Sequence, residues 1–124
     1  LKGGHIRTFY SREGAPIAYT EDNETIYLFT GEPVAYLYED AVYSFNGKQL
    51  GWFENGWIRD LSGYCVFFTE NATGSGPIKP VKHVCPVKSV KHIKPIKSVR
   101  KIKRIKAIKQ LGWSNLKGVL FFQQ

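Results

Sequence analysis

From residue 78 the chain repeats every three residues, a period that neither common secondary structure accommodates. The triplets read apolar–Lys–variable: Ile78-Lys79-Pro80, Val81-Lys82-His83, Val84-Cys85-Pro86, and so on to Ile108-Lys109-Gln110. There are eleven in a row, and only Cys85 and Arg100 replace Lys in the second slot. In an α-helix three residues turn about 300°, so the aliphatics would drift off any one face. A strand needs a period of two. Pro80, Pro86 and Pro95 break helix and ladder interiors alike. Polyproline II has three residues per turn and would give a three-sided rod: Val and Ile on one edge, Lys on the second, Pro, His and Ser on the third. That geometry is expected over 78–98, while the Pro-free stretch 99–110 is free to tighten into 3₁₀ or α turns. A nine-residue super-period also runs through His83, Pro86, Ser89 and then His92, Pro95, Ser98. At about 3.1 Å per residue the segment would run about 100 Å, against a radius of gyration near ~14 Å for a domain of this length. It must fold back, pack on the rest of the chain or project, and a regular aliphatic edge argues that something covers it.

Charge divides the chain. All ten acids lie between Glu13 and Glu70. Residues 1–70 carry five bases, so 5 − 10 = −5; residues 71–124 carry the other thirteen bases and no acid, +13, which together give the net +8. No aromatic falls between Thr69 and Gly112. The 124 residues fit one domain, 1–124. Within it an acidic aromatic body (6–72) gives way to a basic segment (73–110) and a short aromatic close (111–124).

The body repeats with a period of 16. Residues 26–36 (IYLFTGEPVAY), 42–52 (VYSFNGKQLGW) and 58–68 (IRDLSGYCVFF) align, with a looser copy at 14–19 (GAPIAY) and a shorter one at 113–123 (WSNLKGVLFFQ). Asn46-Gly47, Ser62-Gly63 and Thr30-Gly31 sit between short alternating runs, as hairpin turns do; a two-residue type I′ turn needs positive φ at both positions. Such a turn at 46–47 sets Phe45 opposite Lys48, Tyr43 opposite Leu50 and Ala41 opposite Trp52. One face then carries Tyr43, Phe45, Leu50 and Trp52, matched by Tyr27, Phe29, Val34 and Tyr36 before and by Leu61, Val66 and Phe68 after. A lone hairpin is marginal in water. Equal units point to an all-β fold of radially repeated β-hairpins, closed by the C-terminal hairpin 113–124 and carrying the Lys-rich triplet repeat as a polyproline-II-like insertion. A plain antiparallel meander and a small open barrel are the alternatives.

These residues resemble a known family. The run 26–37, then 42–60, then 65–70, together with the Lys-Pro-Val-Lys segment and the Leu111-Gly112-Trp113-Ser114 close, is similar to the bacterial "4-fold beta flower" family from about Phe9 to the C-terminus. The resemblance implies a small fold of four hairpin petals and carries no activity, substrate or catalytic residue to this chain. The Ile-rich basic segment is the one departure.

Candidate chemistry is sparse. His83 and His92 would stand about 28 Å apart on a straight rod, too far to share a metal, and Cys85 beside His83 falls short of the three or four ligands a zinc site needs. No metal site and no cofactor are expected, and His5 lies in a terminus expected to fray. Cys65, next to Val66-Phe67-Phe68, reads as a buried thiol. No Cys–His pair and no Gly-x-Ser-x-Gly elbow around Ser44, Ser62 or Ser114 suggests nucleophilic catalysis. Glu39-Asp40 and Glu54-Asn55-Gly56 read as polar turns between hairpins, and Gly74-Ser75-Gly76-Pro77 as a linker. Trp52, Trp57 and Trp113 read as core. No run approaches the ~18 apolar residues of a transmembrane helix. Two cysteines and no apolar leader lean toward the cytoplasm, with an upstream signal sequence left open.

The expectation is therefore a non-enzymatic structural or protein-interaction module. The alternative is a binder of an anionic polymer or surface (nucleic acid, acidic lipid or polysaccharide) through Lys79, Lys82, Lys88, Lys91, Lys94, Lys97, Arg100, Lys103, Lys106 and Lys109, whose acid-free run gives a strong local field. Three arrangements of that segment stay open. It docks on the acidic body with Val and Ile in the core, it engages an external polyanion or acidic protein surface, or it is a flexible linker.

Overall fold

The alternating runs of the body become eight short strands in the computed structural model, which describes residues 6–124: β1 (Arg7–Tyr10), β2 (Pro16–Thr20), β3 (Thr25–Leu28), β4 (Pro33–Tyr38), β5 (Ala41–Tyr43), β6 (Gln49–Glu54), β7 (Trp57–Asp60) and β8 (Cys65–Phe68). Each pairs antiparallel with the next, and β8 returns to β1 at Phe68 and Tyr10, closing a barrel. The petals are the hairpins β1–β2, β3–β4, β5–β6 and β7–β8. Among the described residues no helix is long and apolar enough to cross a membrane.

All four petals share one tip and one bulge. At the tips the amides of Gly14, Gly31, Gly47 and Gly63 donate to the carbonyls of Ser11, Leu28, Ser44 and Asp60. Only the glycine of each tip has positive φ, +91° at Gly47. Asn46 does not, so the tip is a four-residue turn ending in a left-handed glycine and not the expected two-residue type I′ turn. The outer pairing holds at Ala41 and Trp52, but the ladder then slips between Val42 and Tyr43, so Tyr43 faces Gln49 and Leu50 is the extra residue. Ile17, Val34 and Val66 are the extra residues of the other petals. A bulge shifts the phase of the side chains beyond it. That is why Val34, Leu50 and Val66 leave the tyrosine face on which alternation alone sets them and pack with the barrel core. A true type I′ geometry occurs at Asn55-Gly56, between petals, with φ of +52° and +82°.

Inside the barrel, the cross-strand pairs Phe9/Ala18, Ile26/Ala35, Val42/Gly51 and Ile58/Phe67 form one fully buried layer. Burying each large aliphatic or aromatic side chain here contributes about 1.5–3 kcal/mol. Between petals, on the outer wall, the paired residues are Tyr19/Tyr27, Tyr36/Tyr43, Trp52/Arg59 and Phe68/Tyr10.

The closing hairpin expected at 113–124 is not formed. Trp113 makes an isolated bridge to Cys65, and Gly118–Gln123 is a 3₁₀ helix. The first petal comes instead from β1–β2, the copy that aligns loosely, so the ring is already complete. The Val119-Leu120-Phe121-Phe122 run has no polar alternation to support a strand. It inserts Phe121, fully buried, against Phe67 and beside Gly51, where a Cβ would stand 3.2 Å from the Phe121 ring.

Candidate interaction surface

Residues 77–110 form neither helix nor strand, including the stretch 99–110 where turns were possible. They run as a strap from petal to petal, fastened by backbone hydrogen bonds with a nine-residue period. The amides of His83, His92, Lys101 and Gln110 donate to the carbonyls of Gly14, Gly31, Gly47 and Gly63 at 2.9, 2.9, 2.9 and 3.1 Å. Those of Ser89 and Ser98 donate to Phe29 and Phe45. Every such donor is a third-slot residue. Pro86 and Pro95, which have no amide to donate, occupy third slots between these fasteners, and Pro80 the third slot before the first of them. The super-period is thus the spacing of the petals as the strap meets them. The approach is close: a Cβ on Gly14, Gly31, Gly47 or Gly63 would lie 2.0–2.2 Å from the carbonyl oxygen of Val81, Val90, Val99 or Ile108.

The three edges separate as a three-residue turn requires, and the segment docks on the body, but with its cationic and not its aliphatic edge inward. The second-slot cations face the body. Lys91 lies over both Tyr19 and Tyr27, Lys88 over Tyr19, Lys97 over Tyr36 at 4.5 Å, Lys82 over Tyr10 and Arg100 over Tyr38 at 3.6 Å. Body acids meet five of them: Glu70 pairs with Lys82, Glu21 with Lys91, Glu24 with Lys97, Glu39 and Asp40 with Lys103, and Asp40 and Glu54 with Lys106. Lys79 instead donates to the Ala72 carbonyl at 2.7 Å. Lys88, Lys94, Arg100 and Lys109 make no ion pair among the described residues. Val and Ile, which only the docking arrangement with an apolar contact would put in the core, point to solvent: all eleven first-slot residues are 82–95% exposed. The reason is that the barrel interior is already filled, whereas its outer wall offers tyrosine faces and carboxylates. Those suit a cation, at about 0.5–1 kcal/mol per exposed cation–π contact, and not an aliphatic side chain.

Sequence reasoning missed Arg59. It is buried on β7 at the place Tyr10, Tyr27 and Tyr43 hold in the other petals. Its guanidinium donates to Gly63 at 2.8 Å and Gln110 at 2.9 Å, and also to the carbonyl of Ser75. Ser75 precedes the strap and Gln110 ends it, so Arg59 is a clasp joining both ends to the fourth petal. The available signal was the break in the tyrosine column at 59.

The remaining candidates are dispersed. His83 and His92 lie at different petals, and among the described residues no three of His, Cys, Asp and Glu come together around a possible metal position. His5 falls outside the described residues. Cys65 is buried, which pushes its thiol up to about 11. Cys85 is exposed, with its Sγ 3.7 Å from the Tyr10 hydroxyl. Trp52 and Trp57 are core residues, and half-buried Trp113 packs on Trp57 and Phe68. A cleft of about 370 Å³ where β1 meets the exit of β8 is lined by Arg7, Thr8, Tyr10 and Glu70 among others. Burial, first, and the neighbouring Cys85 push the Tyr10 phenol up to about 12.

The hydrogen bond from Lys106 and then that from Lys103 hold the Asp40 carboxyl below the usual carboxylate range. A carboxyl depressed in the folded state stabilises above its unfolded pKa of about 3.9, and that stabilisation is lost as pH falls through the lower folded value. The drop in Tm between pH 7 and pH 3 is therefore expected to be smaller in Asp40→Asn than in the parent. Equal drops would show that Asp40 does not anchor the strap.

Four hairpin petals closed into a barrel and bound by a triplet-repeat strap define an all-β flower. The 4-fold beta flower protein family matches residues 7–122, and the chain belongs to that family. No curated protein and no solved structure matches the chain.

Proposed function

We propose that the chain is a non-enzymatic interaction module whose contact surface is the outer edge of the strap. The observation that carries this reading is the uninterrupted row of eleven exposed Val and Ile side chains, held in fixed register by the tip hydrogen bonds. Monomeric proteins rarely expose an apolar patch of such extent unless it meets something. The body supports the reading by taking up much of the Lys edge itself, so the strap's aliphatics and not its lysines are what a partner first meets.

Binding of an anionic polymer through the Lys edge is the second reading. Lys88, Lys94, Arg100 and Lys109, outside the ion pairs, favour it, while Lys82, Lys91, Lys97, Lys103 and Lys106, committed to body carboxylates, count against it. A broad hydrolase and metabolite screen tests the non-enzymatic reading. No saturable turnover is expected; a reproducible, saturable one would overturn it.

A further inference from the structure

The tip contacts divide the strap into three equivalent spans, 81–90, 90–99 and 99–108. In the first the third-slot residues are His83, Pro86 and Ser89, and in the second His92, Pro95 and Ser98. In the third they are Lys101, Arg104 and Ala107, and the aliphatics after Val99 are all isoleucine. Lys101 and Arg104 are exposed and make no ion pair among the described residues, nor does Lys109 just beyond. Ile102 and Ile105 are 94% and 95% exposed. The second span also sets Ile93 and Ile96 beside Lys94, unpaired among the described residues, but only the third adds cations in its third slots, so that Lys101 and Arg104 flank its isoleucines.

We infer that the 99–109 span is a docking edge for an anionic lipid surface, an assignment that rests on the strap's outer edge being the contact surface. Ile102 and Ile105 stand between the same two tip contacts, at Gly47 and Gly63, and both are almost fully exposed, so they can touch a plane together. Lys101, Arg104 and Lys109 beside them meet headgroup charge while the isoleucines enter the acyl boundary, the two forces that hold a peripheral protein to a membrane. The charges disfavour a second copy as occupant, because Lys101, Arg104 and Lys109 of the two edges, unpaired among the described residues, would face one another with no acid on either edge. The absence of any aromatic from 78–110 disfavours a nucleic acid strand, which has no ring to stack on and leaves the isoleucines uncovered.

Co-sedimentation of the full chain with vesicles at low ionic strength tests this. Binding is expected to equimolar phosphatidylcholine–phosphatidylglycerol and not to phosphatidylcholine alone. Ile102→Ser with Ile105→Ser is expected to weaken it at least roughly tenfold. Lys101→Gln with Arg104→Gln is expected to weaken it by roughly 25-fold. Val84→Ser with Val87→Ser, at exposed positions of the first span, is expected to leave it within about twofold. All these side chains are solvent-facing, so the thermal melts should coincide and loss of folding is separable. Failure of the parent to bind the anionic vesicles overturns the inference. So does binding indifferent to the isoleucines, binding equally weakened through Val84 and Val87, or preferential binding to duplex DNA. None of these outcomes yields turnover, so the non-enzymatic reading stands or falls separately in the activity screen.

Discussion

Arg59→Ala is expected to lower stability by about 3–5 kcal/mol, because it leaves the Ser75 and Gln110 carbonyls without their donor, at about 1–3 kcal/mol each, and empties the space of a buried side chain. For a chain of this size that is a fall in Tm of roughly 10–20 °C. Truncation deletes one cation and takes a donor from three carbonyls at once, those of Gly63, Ser75 and Gln110, of which Gly63 keeps the Gln110 amide. Because two of them belong to opposite ends of the strap, the loss should be visible there first. Trypsin should cut within 79–109 much sooner in the variant than in the parent. Arg59→Lys should recover only part of the loss, since a single ammonium cannot reproduce the guanidinium fork. A melt within about 1 kcal/mol of the parent, below even one lost charge-assisted bond, would remove the clasp from the account.

Gly47→Ala is the second large effect, at about 2–4 kcal/mol. Two costs add. A Cβ at a φ of +91° carries a conformational penalty of about 1–2 kcal/mol. The same Cβ would sit 2.2 Å from the Val99 carbonyl oxygen, so the strap must back away and stretch the 2.9 Å bond from Lys101 to Gly47. A net hydrogen bond contributes about 1 kcal/mol, and neighbouring contacts go with it. Gly74 separates the costs. Its φ is +81°, but the nearest atom to a methyl group added there is the Asn55 amide nitrogen at 4.0 Å. Gly74→Ala should therefore carry the conformational penalty alone. If the two substitutions destabilise equally, the strap does not press on the petal tips.

What the sequence made legible was periodicity. The 16-residue repeat located three of the four petal tips, at Gly31, Gly47 and Gly63, and the triplets excluded helix and ladder for the strap. Direction was less legible. Alternation sent Leu50 to the tyrosine face, because a bulge has no residue signature of its own and shifts phase only once strands pair. Which edge of the strap faces inward stayed open, because composition does not reveal that a barrel of Phe9, Ile26, Val42, Ile58, Phe67 and Phe121 is already full. The N-terminal petal was hidden by its loose copy around Gly14, and so the C-terminal apolar run was given the vacancy. Arg59 was read past for a related reason: a single departure in a column of tyrosines looks like noise until the two strap ends are seen to converge on it.

The nine-residue spacing of the fasteners has a consequence for how such chains can change length. Deleting one triplet would keep every remaining side chain on its proper edge yet carry each downstream amide past its carbonyl. Deleting nine would bring the donors back into mesh, at the expense of one unbound petal. Insertions and losses tolerated in this region should therefore come in whole multiples of nine, and a chain that gained a fifth petal would have to lengthen its strap by the same increment.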